Sequence, residues 1–360
     1  MNIFSRYLMR NIFIGFSAAA GLLIPLFTTF NLVNELDDVS SGGYHWTQAV
    51  LVVLMTLPRS FIDLGPFIAL LGGIVGLGQL SKSMELTAIR TTGFSIFRIS
   101  MVALCAGLIL TISLGVVDEW VASPLQQRAL QIKNTAIALD ENNSSTGNIL
   151  WARKGNEFVT VKSLDEHNQP VGVEIFYYRP DRSLESYLYA SNATVLDGKV
   201  WMLNHINEKK WVNGEEITGI KERLQWQSIF TSMTLQELTM PSDSFSIKQL
   251  SQYITYLKNT GQPSIEFKIA LWQKLGRAIL ALAMILLAIP FTFSAPRSPG
   301  LGSRLAIGVI VGLLTYISYQ IIVNVGLLFC LNVEMVTLAP PIFILIIALK
   351  MIYQFDQRPL

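Results

Sequence analysis

The chain has 360 residues, 51% of them hydrophobic and only 14% charged, with a mean hydropathy of +0.44. Soluble domains carry about 25% charged residues, so an ordinary water-soluble globule is excluded and a membrane protein is indicated. The 27 basic and 25 acidic side chains leave a net charge of +2, too little for a global basic field that would recruit nucleic acid.

Six segments are long and apolar enough to cross a hydrocarbon core of about 30 Å: residues 11–33, 49–80, 96–117, 266–293, 305–331 and 335–353. The first is longer than the roughly 7 to 15 residues of a signal-peptide core and lacks a convincing cleavage site, so it is expected to stay as a span. The second would measure on the order of 48 Å if wholly helical, and its first third holds Pro58, Arg59 and Asp63. Charges at that depth are expected to face a bundle interior or a wet cavity, because facing lipid costs several kcal/mol. Gly72, Gly73, Gly76 and Gly78 lie in the same span with no Gly-Lys-Ser/Thr after them. They read as close helix packing rather than as a nucleotide loop.

Residues 81–94 follow, from Ser81-Lys82-Ser83-Met84-Glu85-Leu86 to Thr92-Gly93-Phe94. They predict a short helix under the membrane, ended by Gly93, with Leu86 and Ile89 on one face and a use in docking to a cytoplasmic partner. The third span ends in Asp118-Glu119-Trp120, and the fourth begins with Trp272, Lys274 and Arg277. Two readings fit these residues: snorkelling side chains in an interfacial aromatic belt, or the polar rim of an outward-opening cavity.

Between the third and fourth spans lies a polar block, residues 121–265. Phe158-Val159-Thr160-Val161, Val173 to Tyr178, Tyr187-Leu188-Tyr189-Ala190 and Val200-Trp201-Met202-Leu203 alternate apolar with polar residues. Turn formers such as Asp197-Gly198 and Asn213-Gly214 separate them. An antiparallel β domain, a sandwich or jelly roll with its own core, is expected. It closes with a helix: Ser246 and Gln249 fit a capping box, Leu250, Tyr253, Ile254 and Leu257 repeat at helical spacing, and Gly261 sits where a C-terminal cap would.

The domain plan is therefore 1–120 with three spans, 121–265 with the β domain, and 266–360 with three more spans. One set of short loops and ends carries Arg6, Arg10, Lys82, Arg90, Arg98, Arg297, Arg304, Lys350 and Arg358, and the opposite set carries Glu35, Asp37, Asp38 and Glu334. The positive-inside rule puts both termini in the cytoplasm and the β domain outside it. The two halves show no convincing self-similarity. Cys105 and Cys330 both fall in apolar runs, offering neither a disulfide framework nor a thiolate metal site. His45, His167 and His205 lack metal-ligand spacing, and neither a Gly-x-Ser-x-Gly elbow nor a Walker motif is present, so work with ATP would come from a partner.

Six spans with a β domain after the third, together with Met84-Glu85-Leu86 through Thr92-Gly93-Phe94, resemble the LptF/LptG permease family of the lipopolysaccharide exporter. Three further segments resemble the LptG branch: Leu150-Trp151-Ala152-Arg153 with Gly155-Asn156 and Phe158-Val159; Glu119-Trp120-Val121-Ala122; and Tyr256-Leu257-Lys258 with Gly261-Gln262 and Trp272. The resemblance implies an α+β membrane protein, six transmembrane helices with an inserted periplasmic antiparallel β jelly roll, in the bacterial inner membrane. It implies a non-catalytic ABC-transporter permease that pairs with LptF above a dimer of the ATPase LptB, with LptC beside it and LptA further along. ATP and Mg would be bound by LptB, and no cofactor by this chain. Lipopolysaccharide would enter from the outer leaflet and leave through periplasmic β domains toward the outer membrane.

By the same resemblance Glu85 is the residue that couples to the ATPase, with Leu86, Ala88, Arg90 and Gly93 shaping the helix around it. Arg59 matches a basic position that touches the phosphorylated sugar of the lipid, and Lys133 another at the start of the β domain; both can hydrogen-bond phosphate. Two departures bear on the substrate. Asp37-Asp38 stands where related proteins have paired lysines, and Tyr319 replaces an acidic residue common in the fifth span. Divalent cations bridging the aspartates, or compensation by Arg59, Lys274 and Arg277, are the two ways around the first. Two other readings compete. A membrane-anchored periplasmic scaffold would not co-purify with an ATPase through residues 81–94, and an intramembrane enzyme using Asp63 and Glu119 would act without ATP.

Overall fold

A computed structural model describes residues 3–39, 43–91, 93–140, 150–165, 169–181, 183–197, 200–212, 215–229, 240–259, 262, 264–293, 301–329 and 331–357. The chain forms two compact units. One is built on the residues up to Val39, on His45–Ala129 and on the chain from Lys268 onward; the other is built on Leu130–Phe267 with the stretch just before His45.

The first unit is helical. It contains α1 (Ile3–Leu36), α2 (Trp46–Asp63), α3 (Gly65–Lys82), α4 (Glu85–Thr91) and α5 (Ile96–Val117), which continues through a π-helical turn, Asp118–Ala122, into α6 (Ser123–Asp140), whose residues from Leu130 on belong to the second unit. After the β strands and a helix α7 (Ile247–Asn259) come α8 (Ile265–Thr292), α9 (Leu301–Leu328) and α10 (Val333–Asp356). Among the described residues, five helices are long and apolar enough to cross a membrane alone: Ile3–Leu36, Ile96–Ile137, Ile265–Thr292, Leu305–Gly326 and Val333–Asp356.

The sixth expected span, residues 49–80, is not one straight helix. It is broken at Leu64 into α2 and α3, which meet at 63°. The cause is local. Pro66 sits in the first turn of α3, where its missing N–H is harmless, but inside a continuous helix its ring would collide with the carbonyl of Ile62. The break leaves Arg59 and Asp63 in the last turns of α2.

The glycines of the second span do pack helices closely. A Cβ on Gly72 would come within 2.6 Å of the Phe16 ring, one on Gly76 within 2.5 Å of the Asn11 carbonyl oxygen, and one on Gly73 within 2.7 Å of Ala288 Cβ. Gly15 completes the α1–α3 seam, since its Cβ would fall 2.1 Å from the Gly72 carbonyl oxygen. Backbone-to-backbone approach of this kind replaces the hydrophobic driving force that lipid does not supply. Leu8, Ile12, Ile68, Ile74, Leu77 and Ile285 fill the space around the seam. By contrast Ile310, Leu314, Ile321, Phe343 and Ile346 on α9 and α10 are exposed, as suits helices with a hydrocarbon surrounding.

The second unit holds β1 (Leu150–Lys154), β2 (Glu157–Leu164), β3 (Pro170–Tyr178), β4 (Leu184–Asp197), β5 (Val200–Val212) and β6 (Glu215–Gln227). All four alternating runs recognised in the sequence are strands. Their order in the sheet is the sequence order, and every described pairing is antiparallel. The expected antiparallel β domain is present, and its described strands form one up-and-down sheet; the crossovers of a Greek-key jelly roll are not among them. Alternation sets the core: Val161 pairs with Val173 and Val173 with Ala190, and all three are fully buried, as are Val159, Ile175, Leu203 and Ile206. Trp201 meets Trp226 edge to face at 5.5 Å between ring centroids.

Helix α7 begins as its sequence dictates. The Ser246 N–H donates to Gln249 Oε1 at 2.9 Å, and Ser246 Oγ accepts from the Gln249 N–H at 3.3 Å. Leu250, Tyr253, Ile254 and Leu257 form its buried face. Gly261, Gly198, Asn213 and Gly214, singled out above as cap and turn residues, lie outside the described residues, as does Cys330.

Candidate functional site

The short helix expected between the second and third spans forms at Glu85–Thr91. Met84, with φ of 60°, makes the tight turn out of α3, and its carbonyl accepts from the Ala88 N–H at 3.0 Å to start α4. Leu86 and Ile89 are buried in the helical core, whereas Met84 and Ala88 are exposed, so the helix is anchored by one face and presents the other. Gly93 follows with φ of +91°, a left-handed conformation that favours glycine at a helix end.

Two contacts orient this helix, and two more cap the start of α5 that follows it. Tyr7 Oη, on α1, donates to Glu85 Oε2 at 2.8 Å. The Arg90 guanidinium carbon lies 5.8 Å from the ring centroid of Phe293, just past α8. Beyond Gly93, Ser95 Oγ caps α5 by accepting from the Arg98 N–H, and Asp356 Oδ1 of α10 accepts from the Ile96 N–H at 2.8 Å. A carboxylate at a helix N-terminus is favoured both by the free N–H groups and by the helix dipole. The five residues expected to couple, Glu85, Leu86, Ala88, Arg90 and Gly93, thus lie on or just past a helix whose Glu85 meets α1 and whose Arg90 meets the end of α8.

At another place in the same unit, three of the four candidate substrate cations converge. Arg59 Nη1 donates to Asp118 Oδ1 at 3.1 Å, and Lys274 Nζ donates to Asp118 Oδ2 at 2.7 Å. Arg59 Nε also lies 3.4 Å from Asp63 Oδ2, and Arg277 pairs with the other oxygen of Asp63. Arg59 and Lys274 are only 7% exposed and Asp118 only 4%. Charges so far from water persist only when paired, and removing one partner of such a pair costs about 3–5 kcal/mol.

For Lys274, snorkelling does not hold. Its ammonium does not reach for water; it is held by Asp118. Trp120, 77% exposed, remains a good belt residue. The inward carboxylate is Asp118, the first residue of the π turn, whereas Glu119 beside it is only half-buried. Asp63 is bound by two arginines, not paired with Glu119 as an enzyme reading would need.

Lys133, the fourth candidate cation, belongs to the other compact unit, where its Nζ lies 6.0 Å from the ring centroid of the buried Tyr44. Asp37 and Asp38 are exposed just past the end of α1. Tyr319 packs at the close approach of α8 to α9 and α10, where a Cβ on Gly276 would lie 3.4 Å from the tyrosine hydroxyl and 3.1 Å from the Thr337 carbonyl oxygen. That hydroxyl is buried and has no hydrogen-bond partner among the described residues.

Residues 6–354, from the first turn of α1 to the last of α10, match the family described as lipopolysaccharide export system permease LptF/LptG. The chain belongs to this family. Among LptF/LptG relatives, the lipopolysaccharide export system permease protein LptG of Escherichia coli strain K12 is 28% identical over 321 residues, 89% of either chain. The protein of the same name from Haemophilus influenzae is 27% identical over 323 residues, 89% of this chain and 90% of its own. Family and apolar helices together make this LptF/LptG permease a multi-pass inner-membrane protein.

Sequence reading of this LptF/LptG permease missed Asp118, Tyr7 and Asp356 as partners of the residues it named. A cation pair in two spans demands a buried carboxylate somewhere, and Asp118-Glu119 at the end of the third span offered two candidates.

Proposed function

We propose that the chain is the LptG-type permease subunit of a lipopolysaccharide-exporting ABC transporter. It pairs with LptF, stands on an LptB dimer that binds ATP and Mg, and works with LptC to pass lipid toward LptA. The chain binds no nucleotide and no cofactor of its own. The observation that carries this reading is the match along residues 6–354 to the LptF/LptG family, with relatives named LptG over 89% of the chain. The charge asymmetry of the short loops supports an orientation with both termini and α4 in the cytoplasm and the β domain in the periplasm.

In this reading closure of the ATPase dimer moves α4, which is anchored by Leu86 and Ile89 and so carries the spans on either side with it. The phosphorylated headgroup of lipopolysaccharide, drawn from the outer leaflet, is held by Arg59, Lys274 and Arg277, with Lys133 at the start of the β domain. The β domain, whose described strands end in β1 on one side and β6 on the other, receives the acyl chains and extends its sheet to a neighbour.

The test is a photo-crosslinking residue at Ala88, an exposed position on α4, in cells that also express LptB and LptF. A crosslink to a Walker-motif protein of ATPase mass is the expected result. A well-inserted chain without that product would leave a periplasmic scaffold as the better account.

A further inference from the structure

The ion network contains more than a binding site for anions, because it already holds one. Asp118 accepts from Arg59 Nη1 and Lys274 Nζ, and also from Ser123 Oγ at 3.4 Å. A phosphate in the same place would need the same donors. We propose that Asp118 is a built-in counter-ion that competes with the phosphate of the substrate for Arg59 and Lys274, so that loading of the lipid requires this carboxylate to let go. The inference rests on the export reading above, and it assigns to Asp118 a positioning role toward the cations rather than contact with lipid.

Three observations carry it. First, an empty site made of two buried cations is unstable without an anion, and Asp118 is the carboxylate that faces both. Secondly, in these ion pairs three cations, Arg59, Lys274 and Arg277, meet two carboxylates, Asp118 and Asp63, an arrangement that favours an incoming anion. Thirdly, Asp118 stands on an irregular turn of its helix. It opens the π turn Asp118–Ala122, its carbonyl accepts from the Ser123 N–H across that turn, and Ser123 is fully buried. A π turn holds one residue more than an α turn, so its conversion to α geometry rotates one side of the helix against the other by about 100°. That rotation would withdraw the carboxylate. Because Arg59 is on α2 and Lys274 on α8, its departure also unfastens both helices from the turn.

The experiment compares the co-expressed exporter complex in nanodiscs carrying bisphosphorylated lipid A with the same complex carrying dephosphorylated lipid A. Asp118→Asn should lower the half-saturating concentration of the phosphorylated lipid by about tenfold, the effect of removing one charged competitor, and leave the other lipid unchanged. ATP-driven release of the phosphorylated lipid should fall in parallel. Equal affinities in wild type and variant, or an equal change for both lipids, would overturn the proposal. Should Asp118→Asn not assemble, the same substitution is made in a Lys274→Gln background, which removes one stranded cation. There it must tighten phosphorylated lipid relative to Lys274→Gln alone, and no difference between the two refutes the competition. A wild-type complex that binds neither lipid would instead refute the export reading.

Discussion

Tyr7 and Glu85 stand 78 residues apart in the chain, yet the tyrosine hydroxyl donates to the glutamate carboxylate at 2.8 Å. The bond fixes the direction of the one acidic side chain on α4 from a helix that crosses the membrane. Tyr7→Phe should leave insertion and subunit assembly intact and partly lower transport-coupled ATP hydrolysis. Glu85→Ala should lower it further, and adding Tyr7→Phe to Glu85→Ala should change nothing more. ATPase assays on the four purified complexes check this, and additive losses would mean that Tyr7 acts elsewhere.

The α1–α3 seam sets a steric limit. Gly76→Ala puts a Cβ 2.5 Å from the Asn11 carbonyl oxygen, backbone that cannot swing aside. A loss of about 1–3 kcal/mol, or failure to accumulate, is expected. Gly115→Ala on α5, where a Cβ meets nothing within 4 Å, should be neutral or gain up to about 1 kcal/mol. Thermal unfolding in detergent distinguishes them.

Tyr319→Phe should stabilise the chain by about 1 kcal/mol. It removes a buried hydroxyl that has no hydrogen-bond partner among the described residues and keeps the ring that packs beside Gly276, whereas an unmet polar group costs about 1–3 kcal/mol. A lowered melting temperature would show that the hydroxyl serves a partner or substrate.

In the β unit, burial and then the neighbouring carboxylate Glu157 push the Tyr177 hydroxyl up to about 12. Trp226 Nε1 donates to both groups, at 3.0 Å to Glu157 and 3.1 Å to Tyr177. The neutral phenol is the form the fold favours. Its stabilising effect is therefore complete below the ordinary tyrosine value near 10 and is lost as pH rises from there through about 12. The difference in tyrosinate absorbance between the wild type and Tyr177→Phe should show this late titration, and Glu157→Gln should bring it down toward 10.

Much of the architecture was legible because it is written locally. Period and turn residues placed the four recognised strands, the Ser246–Gln249 box placed α7, and Leu86, Ile89 and Gly93 placed α4. The break at Leu64 was also written, in Gly65-Pro66, but a hydropathy window averages across it. The counter-ions were not legible. Which of Asp118 and Glu119 turns inward depends on a π turn that no propensity announces, and Arg59, Asp118 and Lys274 meet only through packing of distant segments. The strand order likewise depends on pairings that the strand signals alone leave open.

The elbow at Leu64 gives the second span two mechanical duties that a straight rod could not combine. One arm, α3, leads through the turn at Met84 to α4 and is packed by glycine contact against α1. The other, α2, carries Arg59 and Asp63 into the ion network and lies outside the seam between Gly15 and Gly72. Close packing and ion pairing are thus placed in series along one stretch of sequence, with Pro66 as the boundary between them.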